Sequence, residues 1–89
     1  SRSRDDVDAA LVRACLALGG YWDKCNKTYR ALELYGDAIE HAARAGGALK
    51  ELLSEAYGRL ADSCIRSGRH DMARDVLELL RGLEEDELR

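Results

Sequence analysis

The chain has no proline and no phenylalanine. No residue therefore forbids a helix outright. Val, Ile and Thr are few and never clustered, and no stretch alternates strictly between apolar and polar residues. That excludes strands of any length. No apolar run approaches the roughly 20 residues of a membrane-spanning helix. A basic excess is also missing, since the net charge is −3 with both signs spread along the chain. Nucleic-acid binders usually carry a basic stripe, so none is expected as a partner. The opening Ser1-Arg2-Ser3-Arg4 is basic but short, and reads as a frayed end.

Cysteine is scarce and odd in number: Cys15, Cys25 and Cys64, with no CxxC pair. A secreted disulfide framework has an even, denser set. Free, buried thiols in a reducing compartment, the cytoplasm, are expected instead. His41 and His70 stand alone, and no Cys/His cluster has ligand spacing, so no metal is expected. Lys24 and Lys27 flank Cys25 closely enough to activate a thiol. No histidine lies nearby in sequence to complete a nucleophile pair. His70 and Asp71 are adjacent, and adjacent side chains on a helix point apart. Without strands there is no phosphate loop of the strand–glycine–helix kind. The expectation is a protein without cofactor and without catalysis.

What the chain has is Ala, Leu, Glu, Asp and Arg, mostly good helix formers. Its 89 residues make one domain, residues 1–89. A chain this size buries roughly 60–65% of its unfolded surface, enough for a modest core but not for a deep cleft. It does not begin with Met, which fits a piece of a longer protein.

Ser3 with Asp6 three residues on predicts a capped helix start. Val7, Leu11, Ala14, Cys15 and Leu18 then form one apolar stripe. At Gly19-Gly20 two readings arise. The pair can end the helix, leaving a long second helix from Tyr21 to Ala45. Alternatively the helix continues through Trp22 to Cys25 and turns at Asn26-Lys27-Thr28, with Gly19 a packing glycine. Internal matching favours the second reading. Leu18-Gly19, Trp22, Ala31, Tyr35 and Ala38 recur 42 residues later as Leu60-Ala61, Cys64, Ala73, Leu77 and Leu80.

The next helix is expected from Thr28 to Ala45, with Ala31, Tyr35, Ala38 and Ala42 inward and Leu32 and Ile39 beside them. Gly46-Gly47 ends it. A third helix runs from Ala48 to Arg66, burying Leu49, Leu52, Leu53, Ala56, Tyr57, Leu60, Cys64 and Ile65. Ser67-Gly68 closes it. The fourth starts near His70 and turns Ala73, Val76, Leu77, Leu80 and Leu83 inward. Its acidic end, Glu84-Glu85-Asp86-Glu87, opposes the helix dipole and should fray. Short turns make neighbouring helices antiparallel. Trp22, Tyr29, Tyr35 and Tyr57 are expected in the core, and Tyr21 is the tyrosine expected at the surface.

On these residues the chain resembles tetratricopeptide repeats. Cys15, Leu18, Gly19, Trp22, Ala31, Tyr35 and Ala38 stand at that family's contact points in the first unit. Tyr57, Leu60, Ala61, Cys64, Ala73, Leu77 and Leu80 do so in the second. Gly68-Arg69-His70-Asp71-Met72-Ala73 is the closest local match. The spacing exceeds the family's usual ~34 residues, and longer helices absorb the difference. The resemblance implies an all-α fold of four antiparallel helices stacked as two helix-turn-helix hairpins. It also implies an adaptor that holds a protein or peptide.

In such a fold the first helix of each hairpin lines a groove. Arg13, Lys24, Arg59, Asp62 and Arg66 would face it, and four of these five are basic. They suit an acidic peptide or a carboxylate gripped by Arg. Some family members clamp a terminal carboxylate with a Lys/Asn set. Leu16 and Gly20 stand at those places here, so that clamp is not implied. Two units are fewer than the three or so that stacks need, so the exposed end faces are candidates for self-association. As an alternative, Arg69-His70-Asp71-Met72 resembles the death-fold superfamily, which implies a compact six-helix bundle and homotypic assembly.

Overall fold

A computed structural model of the chain describes residues 2–88, with side chains for 3–85. Four helices follow in order: α1 (Arg2–Lys24), α2 (Thr28–Arg44), α3 (Lys50–Arg66) and α4 (His70–Leu88). No strand occurs among the described residues. Two ends differ from expectation. α1 already includes Arg2, so Ser3 lies within its first turn and does not cap it, while Asp5 is the first-turn acid. Ser1 lies outside the described residues. α4 does not stop at its acidic segment but runs to Leu88. An Arg81–Glu85 pair, 3.8 Å apart at i,i+4, ties that segment to the preceding turn. The side chains of Asp86 and Glu87 lie outside those described.

Gly19 and Gly20 sit inside α1, and the turn falls after them. The reason is close approach. A Cβ built on Gly19 would stand 2.6 Å from Cε1 of Tyr35 and 2.9 Å from its Cδ1. Tyr35 is 2% exposed. The missing side chain is thus the space that the α2 ring occupies.

The turns after α1 and α3 are built alike. Asn26 (φ 61°) and Gly68 (φ 80°) are both left-handed. The N–H of Lys27 donates to the Trp22 carbonyl at 2.9 Å, and that of Asn26 to Asp23 at 3.1 Å. Arg69 donates to Cys64 at 2.7 Å, and Gly68 to Ile65 at 3.1 Å. Each pair is a Schellman cap, satisfying two orphan carbonyls at a helix end. Every partner in the second cap lies 42 residues after its counterpart in the first. The repeat inferred from side chains is therefore also a repeat of backbone geometry.

α1 packs on α2, α2 on α3 and α3 on α4, and α1 also reaches α3. Among the described residues, α4 approaches only α3. The helices form an open stack of two hairpins, not a closed bundle in which the first and last helices meet. The Cα atoms span 37 × 28 × 13 Å. The six-helix arrangement of the alternative reading does not occur among the described residues.

One core runs through the stack. On α2, Ala31, Tyr35, Ala38 and Ala42 are all buried, with Leu32 and Ile39 packed beside them. α3 adds Leu53, Ala56, Leu60, Ala61, Ser63 and Cys64, and α4 adds Ala73 and Val76. Leu49, Leu52, Tyr57 and Leu83 pack against this core without being fully covered.

α1 corrects the sequence reading. Its inward face is Ala9, Val12, Leu16 and Gly19, while Val7, Leu11 and Leu18 are exposed. The helix is apolar on two sides, and the bulkier side faces outward. At the other end Ile65 and Leu77 are exposed instead of inward. Tyr29 is exposed as well as Tyr21, and Trp22 is only half buried. Trp22 packs against the core from the last turn of α1, with its ring edge-on to Tyr21 (5.3 Å between centroids) and under the Arg30 guanidinium at 5.1 Å.

Candidate functional site

The two first helices, α1 and α3, leave a shallow groove between them. One depression of about 360 Å³ is bordered by Gly20, Asp23 and Lys24 of α1, Tyr35 of α2, and Arg59, Asp62 and Arg66 of α3. A second, of about 280 Å³, is bordered by Arg13, Leu16, Ala17, Leu52, Glu55 and Arg59. Arg59 is common to both, so the two form one trough. All five residues expected at the groove, Arg13, Lys24, Arg59, Asp62 and Arg66, line it. Leu16 and Gly20 form part of its wall.

The electrostatics are more balanced than those five residues imply. Arg59 Nε lies 3.3 Å from Glu55, four residues earlier on α3. Arg66 donates from Nε to Asp62 at 3.0 Å and from Nη2 to Asp23 at 3.2 Å. Glu55 and Asp23 were not foreseen, and with Asp62 they engage two of the four cations, Arg59 and Arg66. Arg13 and Lys24 have no ion pair among the described residues. They stand eleven residues apart on α1, about 16 Å along the helix axis, near opposite ends of the trough.

Asp23 is the structural centre of the groove. Its side chain is 10% exposed. It accepts from Tyr35 Oη at 2.7 Å, from Ser63 Oγ at 3.0 Å and from Arg66. One carboxylate thereby ties α1 to α2 and α3. Burial alone would raise its pKa, but the three hydrogen bonds and the Arg66 charge outweigh burial and hold it below the ordinary 3.8. The Tyr35 hydroxyl is pushed up to about 12 by burial and by the adjacent carboxylate. Asp23 also satisfies the hydroxyl of Ser63, a buried polar residue of the core. A hint was legible in the sequence. An acid in the last turn of a helix opposes the dipole and calls for a compensating partner.

The thiols do not converge. Cys64 is buried, Cys15 half buried and Cys25 exposed, and all three are free. Exposure of Cys25 corrects the expectation of a covered thiol. Burial raises the pKa of Cys64 and of Cys15, the latter with help from the Asp37 charge. His41 accepts at Nδ1 from Arg44 at 2.8 Å. No cluster of three or more His, Cys, Asp or Glu side chains that could hold a metal occurs among the described residues. No described helix is long and apolar enough to cross a membrane. Compared with protein-family models, curated proteins and solved structures, the chain matches none.

Proposed function

We propose that the chain is a non-catalytic, tetratricopeptide-like adaptor module. Its α1–α3 groove holds an acidic peptide or the acidic face of a partner helix. The observation that carries the reading is the charge layout of the trough. Its walls include Leu16, Ala17, Leu52 and the Tyr35 ring, and Arg13 and Lys24, without an ion pair among the described residues, flank them. An apolar strip with charges at its margins is the usual anatomy of a peptide-binding surface. Arg59 and Arg66 hold exposed acids in bonds of low net value, so a ligand carboxylate can exchange with Glu55 or Asp62 at little cost. The charges set register and on-rate more than affinity.

The test is fluorescence anisotropy with labelled glutamate-rich peptides at low and moderate salt. Arg13→Glu with Lys24→Glu should weaken binding about tenfold or more and leave the melting temperature nearly unchanged. Binding that is unaltered by this double reversal, or absent for every acidic peptide, would remove the groove reading. Arg66→Glu is a poorer probe, because its bond to Asp23 makes it part of the fold.

A further inference from the structure

The two outer faces of the stack match each other through the 42-residue repeat. Leu53, Ala56, Leu60 and Ser63 of α3 are buried in the core shared with α1 and α2. Forty-two residues earlier stand Leu11, Ala14, Leu18 and Tyr21, all on α1 and all exposed. At the far end a groove of about 480 Å³ between α3 and α4 is bordered by Ile65, Ala73 and Leu77. The equivalents of these three in the first hairpin are Asp23, Ala31 and Tyr35. Those are covered: Ala31 is 0% and Tyr35 2% exposed, and the Asp23 side chain 10%. Ile65 and Leu77 are 48% and 44% exposed. The molecule thus makes one such junction internally and leaves the two halves of another on opposite ends.

We infer that a second copy of this chain docks head to tail, with its α1 seated in the α3–α4 groove as α3 is seated on the first hairpin. Both complementary surfaces belong to the same sequence, so the chain supplies its own partner. The apolar residues left bare at each end would be covered by that contact. Arg81 and Glu84 replace Ile39 and Ala42 at the outer junction. That makes it more polar than the inner one and suits reversible association. The contact is heterologous, so it does not close on itself and further copies can add. None of the α1 residues invoked borders the α1–α3 trough, so the inference stands apart from the peptide-binding reading.

Sedimentation velocity across a concentration series tests it with two exposed-residue variants. One carries Leu11→Lys and Leu18→Lys, and the other Ile65→Lys and Leu77→Lys. Far-UV circular dichroism verifies folding, and Tyr21→Asp and Leu77→Gln serve as milder replacements if either variant loses helicity. The parent chain should gain mass with concentration. Each variant alone should associate at least about tenfold more weakly. An equimolar mixture should form a one-to-one pair and stop, because each variant retains the half that the other lacks. A parent chain that stays monomeric up to about 1 mM overturns the inference. So does a groove variant that assembles as the parent does, which would indicate a symmetric α1–α1 contact, or a mixture that forms no pair.

Discussion

Replacing Gly19 by alanine should destabilise the fold, although alanine is the better helix former. In the middle of α1 the exchange gains about 0.5–1 kcal/mol of helix propensity. Against this stands the Tyr35 ring, whose Cε1 would lie 2.6 Å from the new Cβ. The ring is buried and anchored through its hydroxyl to Asp23 at 2.7 Å, so it cannot swing aside freely. Overpacking of this kind costs about 1–3 kcal/mol. If the ring shifts enough to lose the bond to the carboxylate, about 1.5–3 kcal/mol more is at stake. The net expectation is a loss of about 2 kcal/mol, or about 8–16 °C in melting temperature for a domain of this size.

Gly36→Ala and Gly58→Ala provide the controls. A Cβ at either position meets nothing within 4 Å, so each should stabilise by about 0.5–1 kcal/mol. Urea denaturation followed by far-UV circular dichroism separates the two signs. The second hairpin also supplies a rescue, since Ala61 and Leu77 occupy the places of Gly19 and Tyr35. In a Tyr35→Leu background, Gly19→Ala should become neutral or stabilising, giving a coupling energy of about 2 kcal/mol. If Gly19→Ala stabilises the parent chain as much as Gly36→Ala does, the close-packing argument is refuted.

Two further expectations concern the turns and the central carboxylate. Gly68→Ala should cost about 1–2 kcal/mol because the residue is left-handed at φ 80°, whereas Asn26→Gly in the equivalent turn should be neutral or slightly stabilising; equal effects of the two in thermal melts would contradict the shared cap. Asp23→Asn should cost about 2–3 kcal/mol at neutral pH, because an amide cannot accept from Tyr35, Ser63 and Arg66 together. Asp23 is held below 3.8 in the fold, so its contribution is complete above that value and is lost as pH falls through the lower, folded value. The stability gap between parent and Asp23→Asn should therefore narrow on acidification below about 3.8, and a gap that stays constant in acid would show that the charge of Asp23 is not what matters.

Much of the fold could be read from periodicity, and the errors have a common physical origin. α2 has neighbours on one side and carries one apolar stripe, so Ala31, Tyr35, Ala38 and Ala42 were identifiable and all are buried. α1 is apolar on two sides. Choosing the bulkier stripe selected Leu11 and Leu18, which are exposed, over Val12, Leu16 and Gly19, which are buried. Bulk was a poor guide because the α1–α2 contact is a close approach. There a glycine packs against a tyrosine, and the small residue marks the buried face. Ile65 and Leu77 were misplaced for the related reason that they border the α3–α4 groove, which no further helix covers among the described residues. The groove was legible because it follows from which helices lie side by side. Its charge balance was not, because Asp23 meets Ser63 and Arg66 across about forty residues of sequence, a distance no local pattern spans. If the end faces do pair head to tail, the residues of α1 and α4 that look misplaced in one copy are correctly placed in two. The sequence then encodes a junction repeated along a stack, and only its interior occurrence is visible in a single chain.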